Sequence, residues 1–195
     1  MLTANDSDDL DAWVQLIQWP NLGRDSLRKL LAAFGSVRAV VQASPASRQA
    51  VVGSRTALSP VPHADHADHL RKAIAWLQAG ARRRLMTIDD GDYPRLLLQT
   101  VDPPLWMFLE GDASLLQQQS VALVGSRHAT PQGLQNAQAF ARDLARQGWV
   151  IVSGLAAGID TAAHEGALAA EGGTIAVVGT GLDQVYPRAN QKLAL

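Results

Sequence analysis

The chain has 195 residues, 47% hydrophobic and 18% charged, with a formal net charge of −1. That composition suits one or two globular domains and lacks the basic excess that marks a nucleic-acid binder by bulk electrostatics, so such a partner needs a local patch. With no cysteine there are no disulfides or thiolate metal sites; no apolar run approaches the roughly 18 residues of a membrane span, and the first residues lack the basic start of a signal peptide, so a cytoplasmic protein without membrane contact is expected.

Residues from about 8 to 80 read as all-helical. Leu10, Trp13, Val14, Leu16 and Ile17 form a stripe at helical spacing. Trp19, Pro20 and Gly23 break it. Leu27, Leu30, Leu31 and Phe34 mark a second helix, with Arg24, Arg28 and Lys29 opposite and Gly35 as its stop. Ser36 caps a third helix through Val37, Val40 and Val41. This is similar to a helix–hairpin–helix or sterile-alpha-motif unit, whose Gly turn can touch a phosphate backbone; a small packing domain is the favoured reading. Residues 53–63 are Ser/Pro-rich and read as a loop.

His63, His66 and His69 invite a metal. On a helix, however, i and i+6 are rotated roughly 240° apart, so a solvated face is the better reading and no metal is expected. Leu70, Ile74 and Leu77 carry that helix to Gly80. Arg82, Arg83 and Arg84 read as a solvated junction that suits a helix C-terminus. Leu85 to Ile88 is a short strand. Asp89 to Pro94 is a turn rather than a calcium loop, because it lacks the closing Glu. Leu105 to Leu109 is a second apolar strand.

From Ser120 a β-α-β-α-β order begins, which implies a parallel sheet with right-handed crossovers. Val121-Ala122-Leu123-Val124 runs into Gly125, Ser126 and Arg127, and Thr130-Pro131 opens a long helix. Val150-Ile151-Val152 runs into Ser153-Gly154 and on to Gly158; Asp160 reads as the N-cap of the next helix. Thr174 to Val178 runs into Gly179-Thr180-Gly181. Three Gly-bearing loops are thus expected at the carboxyl edge of one sheet, where open α/β sheets bind ligands.

The loops match neither G-x-G-x-x-G, nor a P-loop, nor a nucleophile elbow. Asp160 and His164, at i and i+4, could form an acid/base pair, but a cap and a packed histidine are favoured. No complete catalytic constellation is present and no cofactor is expected. Arg127 can fork onto a phosphate; the alternative is an ion pair with Asp160 or Asp183. The small residues Gly125, Ser126, Ser153, Gly154, Gly158, Gly179 and Gly181 let a ligand approach the backbone. A phosphate-bearing ligand follows; mononucleotide or polynucleotide stays open.

Taken in order, Val124-Gly125-Ser126-Arg127, the stretch from Val152-Ser153-Gly154 through Gly158 and Asp160 to His164, and the stretch from Gly181 to Tyr186-Pro187-Arg188-Ala189-Asn190 closely resemble the DNA-processing protein A (DprA/Smf) family. The upstream Asp90-Gly91-Asp92-Tyr93-Pro94 and Asp102-Pro103-Pro104-Leu105 belong to the same resemblance. It implies an α/β fold: an N-terminal all-helical, sterile-alpha-motif-like domain over residues 1–80, then an incomplete Rossmann-like parallel sheet with helices on both faces over residues 81–195. It implies a non-catalytic, single-stranded DNA-binding protein of bacterial natural transformation that protects incoming DNA and loads the RecA recombinase. Arg127 would contact the DNA phosphate, with Ser153, Gly154 and Gly181 shaping the pocket. The family's domain continues past Asn190, so this chain is expected to be a fragment with weak DNA affinity and a weakened or lost homodimer. The alternative is a nucleotide-binding hydrolase resembling the lysine decarboxylase-like phosphoribohydrolases; their Pro-Gly-Gly-x-Gly-Thr loop does not occur here.

Overall fold

The structure is a computed structural model that describes residues 4–20, 22–53 and 63–195. The loop expected over residues 53–63 lies, apart from its two ends, outside the described residues. The chain divides into two compact units, residues 1–88 with 99–107, and residues 89–98 with 108–195. No described helix is long and apolar enough to cross a membrane.

The first unit holds α1 (Ala4–Ile17), α2 (Arg24–Phe34), α3 (Val37–Gln42), α4 (Pro45–Val52) and α5 (His63–Gln78). Local chemistry sets several of their ends. Gly35 closes α2 in the left-handed region at φ 79°, its amide bonded to Leu31 O. Ser36 caps α3 by accepting from Ala39 N at 3.1 Å. Sequence reading did not single out α4, although its signal is present: Ser44 accepts from Ser47 N at 3.0 Å and Pro45 opens the helix. Trp13, Leu16, Leu27, Leu30, Val37 and Val40 form the core with Leu105. The Trp13 and Trp106 rings lie 5.9 Å apart, tilted by 49°. Leu10 and Val14 of α1 pack with Leu77 of α5.

Several cations in this unit are engaged. Arg48 is buried; its Nη1 donates to Val40 O, Val41 O and Ala43 O at 3.2, 2.9 and 2.8 Å, and its guanidinium lies 4.5 Å from the Trp19 ring centre. Arg24 and Arg28 both bind Asp102, and Lys29 pairs with Asp25 at 2.8 Å. Arg83, expected at a solvated junction, stacks 5.0 Å from the Trp76 ring and donates to Trp76 O at 3.2 Å, satisfying a carbonyl in the last turn of α5. His66 meets Asp11 at 2.8 Å. Among the described residues no group of three His, Asp or Glu is placed to hold a metal. Strands β1 (Arg83–Thr87) and β2 (Trp106–Glu110) form a two-stranded sheet.

In the second unit, a short α6 (Arg95–Leu98) follows a turn in which buried Tyr93 donates its amide to Asp90 O at 2.9 Å. Next come a 3-10 helix (Ala113–Gln117), β3 (Ser120–Ala122), α7 (Pro131–Arg146), β4 (Val150–Ser153), α8 (Ile159–Leu168) and β5 (Thr174–Ala176). A second 3-10 helix (Arg188–Asn190) leads into α9 (Gln191–Ala194). The three strands are parallel in the order β3-β4-β5, with Val121 opposite Ile151 and Ile151 opposite Thr174.

Helices α7 and α8 share one face of this sheet. Ala141 and Ala145 of α7 and Ala163 and Ala167 of α8 form one core with Ile151. The strand order never reverses, so successive right-handed crossovers place their helices on the same side. A Cβ on Gly166 would stand 2.3 Å from Gln138 O, which shows how closely α7 and α8 approach. On the opposite face Leu115 of the first 3-10 helix packs onto Gly173, beside Val150.

Candidate nucleic-acid interface

Three loops meet at the carboxyl edge of the sheet, as the strand order requires. Leu123 N donates to Val152 O at 3.0 Å, and Val177 N donates to Ser153 O at 2.8 Å, so the ladder runs one residue past β3 and β5. The first loop is joined to the second: Ile159 N donates to Ser126 O at 3.2 Å. Gly158 makes that junction possible. Its φ is 84°, and a Cβ there would lie 2.2 Å from Ser126 O and 2.8 Å from Arg127 O. Gly125 is equally confined, with a would-be Cβ 2.7 Å from Ile159 Cγ1. These two glycines serve chain-to-chain packing.

The second loop folds around a carboxylate. Asp160 was expected to cap α8; the N-cap is Gly158, and Asp160 stands in the first turn. Its buried Oδ2 accepts from Gly154 N at 3.2 Å and Ala156 N at 3.3 Å. The amides that could have formed an anion nest there are thereby filled from within. A tie from the third segment holds the loop: Asn190 Nδ2 donates to Leu155 O at 2.9 Å and to Thr161 Oγ1 at 2.9 Å, while Thr161 Oγ1 donates to Ala156 O at 2.8 Å.

The residues named from sequence separate into two groups. Ser153 is buried and its hydroxyl donates to Leu123 O at 2.7 Å, so it braces β4 against β3. Gly154 faces Asp160. Gly125, Ser126, Arg127, Gly179 and Gly181 are exposed along the edge. Ser126 Oγ accepts the amide of His128 at 3.0 Å, which folds the loop back after Arg127. The Arg127 side chain has no hydrogen bond or ion pair among the described residues; the pairing with Asp160 or Asp183 weighed from sequence does not occur. The third loop is held by Gln184 N donating to Gly181 O at 3.0 Å and by Thr180 Oγ1 donating to Gln184 O at 3.2 Å.

Beside Arg127 lies a cavity of about 360 Å³ between α7 and α8. Sequence reading missed its other polar walls: His128, Gln135, Gln138, Thr161 and Glu165. Their one sequence signal is spacing. Thr161 and Glu165 stand at i and i+4, on one stripe of α8 running away from Gly158.

His164, paired from sequence with Asp160, instead turns to β5. Its Nδ1 lies 2.7 Å from Thr174 Oγ1, and that hydroxyl donates to Ile151 O at 2.8 Å. With the hydroxyl proton so used, Nδ1 is the donor and Nε2 carries the lone pair. Nε2 is buried without a partner among the described residues. Burial holds the imidazole below its usual value near 6.5, opposed by the nearby Asp160 carboxylate.

The sequence profile of the DNA recombination-mediator protein A family matches residues 84–195. The chain belongs to that family. DNA processing protein DprA of Streptococcus pneumoniae (strain ATCC BAA-255 / R6) is 48% identical over 107 residues, covering 55% of this chain and 38% of the relative. Protein Smf of Escherichia coli (strain K12) is 38% identical over 125 residues, 64% of this chain and 33% of the relative. A putative DNA processing protein DprA of Mycobacterium tuberculosis (strain ATCC 25618 / H37Rv) is 33% identical over 178 residues, 84% and 45%. The chain therefore spans less than half the length of these curated relatives. The solved structure of DNA processing protein A from Streptococcus pneumoniae superposes with a TM-score of 0.68 at 31% identity, covering all of this chain and 64% of that one. The shared fold runs through both units of this family member, and the α/β reading with its helical N-terminal portion stands.

Proposed function

We propose that this chain binds single-stranded DNA at the carboxyl edge of its parallel sheet, within a protein that protects incoming DNA and passes it to the RecA recombinase. Arg127 carries the reading: an exposed guanidinium with no partner among the described residues, on a loop fixed from below by Gly158 and Ile159. Such a group is preorganised for a phosphate oxygen and needs no ion pair broken first. Gly125, Ser126, Gly179 and Gly181 give the strand a low rim, while Ser153, Gly154 and Gly158 hold the rim in shape. Within this reading residues 1–80 act as a helical domain and residues 81–195 as the DNA-bearing domain. The function is binding and delivery rather than chemistry.

Fluorescence anisotropy of a labelled oligo-dT, with an equal-length duplex as control, tests it. Binding that favours the single strand, weakens steeply with salt and drops at least about ten-fold in Arg127→Ala is expected. Equal binding by the variant removes Arg127 from the site.

A further inference from the structure

The cavity beside Arg127 is more than a seat for a phosphate. Arg127, Gln135, Gln138 and Glu165 line it, and none of their side chains has a hydrogen-bond or ion-pair partner among the described residues. The helical unit is different: there Arg24, Arg28, Lys29 and Arg48 are all engaged. Arg127 and Glu165 share one cavity of about 360 Å³ without closing on each other. The cation is left to an anion and the carboxylate to a donor.

The two charges also have an order. Gly158 and Ala157 stand beside Arg127 at the N-terminus of α8, and Glu165 follows seven residues after Gly158. At 1.5 Å per residue that is about 10 Å along the helix. A phosphate belongs at the Arg127 end, where the guanidinium can fork onto it, and is repelled from the Glu165 end. Leu134, Ala157 and Ala162 supply apolar wall between them. A cationic end, an apolar wall and an exposed carboxylate end flanked by two amides fit a nucleotide laid along the groove with its base toward Glu165.

Resting on the single-strand reading above, we propose that this cavity takes the base next to the phosphate held by Arg127, and that Glu165 makes it selective for guanine. A carboxylate only accepts. Guanine alone presents two adjacent donors, N1–H and the N2 amino group, to its two oxygens. Adenine and cytosine each set one amino donor beside a ring-nitrogen acceptor, and thymine flanks its single N3–H with two carbonyls; each sets a lone pair against the carboxylate. Gln135 and Gln138 can donate to guanine O6 and N7.

The experiment is anisotropy in lithium salts, which suppress guanine quadruplexes, with labelled oligo-dT and equal-length strands alternating thymine with guanine, adenine or cytosine. The thymine–guanine strand is expected to bind about ten-fold tighter than the others, the discrimination typical of one bidentate base contact. Glu165→Gln is expected to abolish that ratio while still binding oligo-dT. The ratio is the readout, because removing one negative charge strengthens binding of every strand. Glu165 is exposed, and an unchanged thermal melt checks that the variant folds. Equal affinity for all four strands, or a ratio that survives in Glu165→Gln, overturns the guanine pocket alone. Failure to bind oligo-dT at any salt overturns the single-strand reading as well.

Discussion

Asp160 Oδ2 accepts the backbone amide of Gly154 at 3.2 Å, six residues back along the chain, so the loop after β4 is wound around an internal anion. Removing it strands the Gly154 and Ala156 amides in a half-buried position. Asp160→Ala is expected to lower the stability of the second unit by about 2–4 kcal/mol, since charge-assisted bonds are lost and donors are left bare. Urea unfolding followed by near-UV signal measures it; a loss below about 0.5 kcal/mol, the range of an ordinary surface change, contradicts the role.

Gly158 has no room for a methyl group. With φ at 84° and Ser126 O at 2.2 Å from a would-be Cβ, Gly158→Ala must push the Ser126–Arg127 loop away from α8. Backbone strain and overpacking together suggest a loss of about 2–4 kcal/mol, with weaker DNA binding because Arg127 moves with its loop. A crystal structure of the variant with that loop unmoved would refute this.

Ser153 and Arg127 should separate structure from binding. Ser153→Ala leaves Leu123 O short of a donor and is expected to cost about 1–2 kcal/mol, with oligo-dT affinity nearly unchanged. Arg127→Ala should do the reverse: stability within about 0.5 kcal/mol and a large loss of affinity. Parallel melts and anisotropy titrations of the two variants decide; a Ser153→Ala variant that melts normally but fails to bind would return its hydroxyl to the ligand.

His164 links the second unit to pH. Burial depresses its folded value below 6.5, so in acid the unfolded chain takes the proton more readily than the folded one. The stabilisation is complete above about pH 6.5 and declines as pH falls toward the lowered folded value. Stability is expected to drop as pH falls below about 6.5, and His164→Gln should flatten that slope while lowering stability at pH 7. Identical pH profiles for the two proteins would place the acid sensitivity elsewhere.

Arg48 is the keystone of α3 and α4. Arg48→Met keeps an apolar side chain at the site but takes the guanidinium from over Trp19 and leaves Val40 O, Val41 O and Ala43 O without their shared donor. A loss of about 2–4 kcal/mol in the helical unit is expected, read from the tryptophan emission of Trp13 and Trp19 during denaturation. No shift in the midpoint would mean that water replaces the guanidinium freely.

Order along the chain was legible because its causes are local. Apolar runs that stop at Gly125, at Ser153 and near Gly179 announced three strands and three loops. Ser36, Thr130 and Gly35 marked helix ends through contacts within three or four residues, and the β-α-β-α-β order carried the parallel sheet with it. Arg127 stood out because it follows Gly125-Ser126 at the carboxyl end of a strand, where a guanidinium can fork onto a phosphate. What those signals could not say is which polar groups the fold itself consumes. Asp160 resembles a cap from its neighbours, yet its carboxylate serves a loop. Ser153 looks like a ligand, yet its proton goes to Leu123 O, 30 residues away; Asn190 braces Leu155 across 35. Glu165, Gln135 and Gln138 look like ordinary helix surface until α7 and α8 close a cavity between them. Periodicity and capping are properties of a few consecutive residues. Whether a donor is free or spent depends on chain segments brought together only by the packed sheet, and that the tertiary structure alone decided.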